Sequence, residues 1–164
     1  MASVTTDRDD ALSAGELETD RVNVRQLKAD DLEMVVRIDR QATERNREAY
    51  YRTKLREALE PGAVHISLAG ELDGHVVGFV IARLYYGEFG RSEPVALIDS
   101  VGVDKGYRRH KVGKALMRQL LMNLRALNVE RVETLVDWNH FDLIAFMANH
   151  GFEPAPRVCL RLTL

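Results

Sequence analysis

One stretch constrains this chain more than any other. An apolar run, residues 95–103 (Val-Ala-Leu-Ile-Asp-Ser-Val-Gly-Val), passes through a short basic loop into a segment where Val112, Leu116, Leu120 and Leu127 recur at helical spacing. Between Asp104 and Arg118 stand six cations, Lys105, Arg108, Arg109, Lys111, Lys114 and Arg118, against the single acid Asp104. A helix start presents backbone N–H groups without intrahelical acceptors, at the positive end of the helix dipole. Cations gathered there make an anion site suited to phosphate. Gly113, with no side chain, allows a pyrophosphate to come close to the backbone.

Two common phosphate motifs do not fit these residues. A nucleotide P-loop needs four residues between its glycines and a Ser or Thr after the Lys to hold magnesium. Here six residues separate Gly106 from Gly113, and Ala115 follows Lys114. A dinucleotide fingerprint needs three closely spaced glycines and a later acid for the ribose, and these are missing too.

The rest of the chain reads as an α/β domain. With 164 residues, 46% of them hydrophobic, it can bury a core without staples. The lone cysteine, Cys159, excludes an intramolecular disulfide and reads as a core residue of a last strand. Residues 1–20 carry six acids against one base, a net −5 within a total of −2. They are too polar to bury a core and are expected to be a flexible acidic leader before one domain over residues 21–164. No apolar run is long enough for a transmembrane helix or a signal peptide, so a cytoplasmic protein with no membrane partner is expected.

Strands are expected over residues 21–27 and 64–68, after the Asp73-Gly74 turn over residues 75–86, and then over 95–103, 132–138 and 157–164. Helical patterns fall on residues 31–59, bent near residues 43–46, on 112–127 and on 141–149. The expected order is β-αα-βββ-α-β-α-β, with a mixed sheet of six or seven strands flanked by helices.

The residues Val101-Gly102-Val103, then Arg108-Arg109-His110-Lys111-Val112-Gly113-Lys114-Ala115, resemble the signature of the GNAT superfamily of acyl-CoA N-acyltransferases: a V-x-V strand end, then Arg/Gln-x-x-Gly-x-Gly/Ala opening a helix. Gly151-Phe152 matches the Gly-Phe pair that follows the family's last helix, and the order of elements is similar from residue 21 to the end. The resemblance implies a single-domain GNAT fold and an N-acetyltransferase that moves an acetyl group from acetyl-CoA to a primary amine, with no metal. By the same resemblance, the backbone of Arg109 to Lys114 would hold the pyrophosphate of acetyl-CoA, and Val101 to Val103 would hydrogen-bond the pantetheine arm. The strands ending near Val103 and beginning near Val132 would splay apart, and the N–H of Val101 or Gly102 would polarise the thioester carbonyl. Arg108, Ala115 and Asn139 complete the expected cofactor set.

Two departures accompany these matches. Lys111 replaces the family's first loop glycine, and Met147 stands where many members carry a tyrosine acid. Asp99, inside an apolar strand, is the candidate base for the acceptor amine, against a purely structural role; Glu93 is the alternative. Tyr50 and Tyr85 lie where relatives build the acceptor pocket, while Arg45, Arg47 and Arg52 read as a solvated basic face. The expected acceptor is a small molecule or a peptide amine, and a homodimer through residues 158–164 is also expected. Against the enzyme stand a non-catalytic acyl-CoA-binding module of the same fold and a nucleic-acid-binding domain that uses the patch from Arg108 to Lys114.

Overall fold

The computed structural model describes residues 21–86 and 92–164. The expected acidic leader lies outside them. By its contacts the chain divides into two compact units, Met1–Thr134 and Leu135–Leu164.

The first unit is organised on a mixed five-stranded sheet. Its strands β1 (Asn23–Gln26), β2 (Leu68–Leu72), β3 (His75–Tyr85), β4 (Val95–Val103) and β5 (Arg131–Thr134) lie side by side in chain order. The first four are antiparallel and β5 runs parallel to β4. The β2–β3 hairpin turns at Asp73 and Gly74, both at positive φ (51° and 78°), the conformation a two-residue turn demands. A parallel neighbour requires a crossover, here supplied by helix α3 (Val112–Ala126). The helical pattern after β1 resolves into α1 (Leu32–Thr43) and α2 (Glu48–Ala58), broken where Glu44 takes a left-handed φ of 58°.

The sheet is covered on both faces. Val35 and Ile38 of α1 and Tyr51 and Leu55 of α2 close over Leu27, Ala69, Phe79 and Ile81. Strand neighbours face opposite sides, and a Cβ built on Gly78, beside Phe79, would meet Val112 and Leu116 of α3. Helix α3 therefore covers the second face, burying Val112, Ala115, Leu116, Met117, Leu120 and Leu124. Apart from Ala115, each such side chain contributes roughly 1.5–3 kcal/mol.

The second unit contains helix α4 (Phe141–Ala148). Gly151, at φ 85°, ends it: the Gly151 and Phe152 N–H groups donate to the Ala148 and Met147 carbonyls, a glycine-dependent helix stop.

The expected element order holds through α4, but among the described residues the sheet has five strands rather than six or seven. Residues 157–164 form no strand, and Val158, Leu160 and Leu162 are more than 80% exposed. Alternation specifies which face a strand would bury, yet a strand also needs a hydrogen-bonded neighbour, and no ladder reaches this segment. Cys159 is exposed for the same reason, not buried as expected. Among the described residues, no helix is long and apolar enough to cross a membrane.

Candidate functional site

The site begins with an irregularity in β4. Ile81 pairs with Ser100 and Ala82 with Ile98, so Asp99 is an extra residue opposite no partner. This is a β-bulge, which bends the strand and re-aims its side chains. On the other edge, β5 follows β4 only from Val95↔Arg131 to Ile98↔Thr134, where the Thr134 hydroxyl donates to the Ile98 carbonyl (3.0 Å). Beyond it, Val101, Gly102 and Val103 pair with Val80, Phe79 and Gly78 of β3. Among the described residues no strand takes their outer edge. Gly102 is also a packing requirement, because a Cβ there would lie 2.7 Å from Phe79 Cε1.

The loop after β4 is fastened by a buried carboxylate. The Asp104 N–H donates to the Val77 carbonyl (2.8 Å). Its side chain accepts hydrogen bonds from the Gly106 N–H (2.9 Å), Gln41 Nε2 (3.0 Å) and Arg37 Nη2 (3.2 Å). Gln41 in turn accepts from the Lys105 N–H (2.9 Å). Burial opposes the charge on Asp104, but the Gly106 N–H, the Gln41 amide and the Arg37 guanidinium outweigh it and hold the carboxyl below its ordinary value.

From this anchor the chain makes a 3-10 turn, Lys105–Tyr107, and reaches Lys111 at φ 55°, ψ 19°. The position where the family motif has glycine is thus left-handed, and a Lys there costs roughly 1 kcal/mol. Within α3 the Ala115 N–H donates to the Lys111 carbonyl (3.0 Å). The preceding N–H groups, Val112 to Lys114, belong to a first turn that has no acceptor inside its own helix. Lys105, Arg108, Arg109, His110 and Lys114 are exposed around this turn, whereas Val112 and Ala115 point their side chains into the core. Val112 can serve a ligand only through its backbone N–H, and Ala115, with its side chain buried and its N–H taken by the Lys111 carbonyl, does not join the cofactor set expected of it.

On the α1–α2 face a buried polar network joins three elements. The Tyr51 hydroxyl donates to Asp39 Oδ1 (2.9 Å) and lies 3.5 Å from Ser100 Oγ, and Arg47 grips the Asp39 carboxylate with both Nε and Nη2. Burial pushes the Tyr51 phenol well above its ordinary value. Arg47, read as part of a solvated face, is instead the counter-ion of buried Asp39. Arg45 and Arg52 are exposed, Arg52 pairing with Glu48. Sequence reasoning missed this network, although Asp39 falls on the apolar stripe of α1 with Val35 and Ile38, where a carboxylate needs a partner.

Beside it lies Asp99, whose Oδ2 is 3.6 Å from Lys54 Nζ and 3.2 Å from Arg83 Nε. Tyr50 sets its hydroxyl 3.4 Å from Ser100 Oγ, and the Tyr85 ring stacks under the Arg83 guanidinium at 4.7 Å. The structure thus brings Asp99 and Tyr50 to the bulge. Glu93 is exposed two residues before β4, and Asn139 is exposed in the second unit. His140 occupies the N-cap of α4.

The comparisons with known proteins agree with this fold. The acetyltransferase (GNAT) family profile matches residues 31–152. The fold is similar to that of an aminoglycoside N-acetyltransferase, AAC(6')-Iy, solved in complex with CoA, at 19% identity and a TM-score of 0.71, covering 87% of this chain and 94% of that one. It is also similar to Ard1 from Thermoplasma volcanium, at 25% identity and a TM-score of 0.68, covering 81% and 83%. A third is a ribosomal-protein-alanine N-acetyltransferase from Brucella melitensis biovar Abortus 2308, at 17% identity and 0.67, covering 87% and 99%. No curated protein matched the sequence. With a family match over most of its length and the bulged strand leading into a basic helix start, the chain belongs to the acetyltransferase (GNAT) family.

Proposed function

We propose that the protein transfers an acetyl group from acetyl-CoA to a primary amine. The observation that carries this reading is the outer edge of β4 at Val101 to Val103, taken by no strand among the described residues, which runs directly into an exposed basic turn and the first-turn N–H groups of α3. That donor set suits a ligand with an amide-bearing arm and a pyrophosphate: strand-edge backbone groups for the amides, helix N–H groups and cations for the phosphates. Val101 to Val103 would hold the arm, and Arg108 to Lys114 the pyrophosphate. Bound there, acetyl-CoA supplies an activated acyl carbon.

The protein's part is to align the amine and manage its protons. An ammonium has no lone pair, so it must first lose a proton. Asp99, set at the bulge, is the group assigned to receive it. The amine nitrogen then bonds to the acyl carbon as the C–S bond breaks. Of the two protons the ammonium sheds, one ends on the CoA sulfur and the other in solvent. The backbone N–H of Val101 or Gly102 steadies the carbonyl oxygen as charge builds there.

Calorimetry with acetyl-CoA, followed by detection of free CoA thiol across a panel of amines, tests the reading. Saturable binding and amine-dependent thiol release are expected. Gly113→Glu is expected to abolish binding, by setting bulk and negative charge against the phosphates. Asp99→Asn is expected to lower turnover and leave acetyl-CoA affinity intact. Binding without thiol release from any amine would assign an acyl-CoA-binding module instead, and retention on DNA in place of acetyl-CoA would assign the basic turn to nucleic acid.

A further inference from the structure

Next to the bulge sits an arginine whose hydrogen-bonding capacity is unspent. Arg83 Nε is buried and donates no hydrogen bond. It rests 3.2 Å from Asp99 Oδ2, its Nη1 is 3.9 Å from Glu57 Oε2, and its plane is stacked on the Tyr85 ring. These are charge contacts and a ring contact. They hold the guanidinium in place while leaving its N–H fork to be satisfied by something else, and a fork of that shape matches a carboxylate. The side chain is 39% exposed, so the Nη end of the fork can be reached, whereas Nε is buried against Asp99.

Asp99 is the complement. Both of its cations, Lys54 and Arg83, approach Oδ2, and among the described residues no cation is placed on Oδ1, the oxygen an ammonium would take. The surrounding cluster is also balanced, with Lys54 and Arg83 set against Asp99 and Glu57. Nearby, Asp39 is fully engaged by Arg47 and Tyr51. A polyamine would need several uncommitted carboxylates, and among the described residues this face offers Asp99 Oδ1 beside the Nη end of Arg83. A molecule with an amine and a carboxylate on the same carbon matches that adjacent pair in charge.

Resting on the acetyltransferase reading, we propose that the juxtaposition of Arg83 with Asp99 makes the acceptor site specific for a free α-amino acid, its carboxylate held by the Arg83 fork and its ammonium by Asp99. The group-transfer step is the one already written, and Arg83 is a specificity-determining residue that takes no part in the proton movements.

The test supplies acetyl-CoA with a panel of free L-amino acids, the same amino acids as C-terminal amides, and spermidine, reading CoA thiol release. Free amino acids are expected to exceed their amides in kcat/KM by roughly ten- to a hundredfold, the worth of a charge-assisted hydrogen-bonded pair. Arg83→Gln is expected to erase that preference by raising KM, and Arg83→Lys, which keeps the charge but not the fork, to recover part of it. Acetyl-CoA affinity, measured by calorimetry on each variant, is expected to match the parent and reports that the variants are folded. Amides or spermidine used as well as free amino acids, or a preference that survives Arg83→Gln in folded protein, would overturn this proposal and leave the transferase reading standing. Failure of acetyl-CoA to bind the parent protein would overturn both.

Discussion

Gly102 stands in the motif segment of β4, and the packing explains why it is glycine. Its missing Cβ would lie 2.7 Å from Phe79 Cε1 and 3.1 Å from Ile38 Cγ2. Gly102→Ala is therefore expected to displace the Phe79 ring and cost roughly 1–3 kcal/mol, seen as a lower thermal midpoint. An unchanged midpoint would mean that the ring yields freely. Lys111 illustrates the opposite case, an ordinary residue that accepts a left-handed backbone because the turn into α3 demands one. Both positions stand inside the quoted motif, yet only the structure separates a glycine needed for space from a position that tolerates a side chain. The bulge at Asp99 was not legible at all. A carboxylate in an apolar strand signals a partner or a function, but which residue slips out of register depends on the strand opposite.

At the scale of elements, the connection between β4 and α3 depends on contacts from α1. Asp104 gathers the Gly106 N–H, Gln41 and Arg37, and Gln41 holds the Lys105 N–H. The basic turn is thereby set against a helix some sixty residues earlier in the chain. Asp104→Ala removes the shared acceptor and leaves its donors without it, at an expected cost of about 1–3 kcal/mol. If the turn holds phosphate, acetyl-CoA affinity is expected to fall with it, while Arg45→Ala, on the exposed end of the α1–α2 connection, changes neither. Urea unfolding and calorimetry on the two variants check both halves. The helices themselves were readable from their apolar spacing, and the break between α1 and α2 was expected where Glu44 turns left-handed. The last strand was misread because alternation carries no information about whether a partner edge is available.

For the molecule as a whole, the paired carboxylates set its behaviour in acid. Burial opposes the charge of Asp31, but hydrogen bonds from Arg25 and the Lys28 N–H prevail, so its carboxyl lies below the ordinary value. The Arg25 hydrogen bond does the same for Glu71, and Asp104 is lowered as described. The folded state then binds these protons more weakly than the unfolded chain does. Their contribution to stability is complete above the ordinary carboxylate range, near pH 4, and is lost as pH falls through that range toward the lowered values. The urea midpoint is expected to hold from pH 7 to 5 and drop between about pH 4 and 3, with Asp31→Asn dropping less over that interval because one linked group is gone. A flat profile would show that these pairs contribute nothing.

Local chemistry explains what the sequence could say unaided. Helix and strand periodicity, the turn glycine, the helix-stop glycine and the basic run before α3 all act over a few neighbouring residues, so the α/β class and the phosphate-suited turn follow from them directly. The tertiary structure decided the rest: five strands instead of six or seven, the bulge that singles out Asp99, the burial of Asp39 under Arg47 and Tyr51, and the meeting of Arg83 with Asp99. Each of these joins segments far apart in the chain, and such pairings are chosen by register and packing across the whole sheet, which no local pattern records.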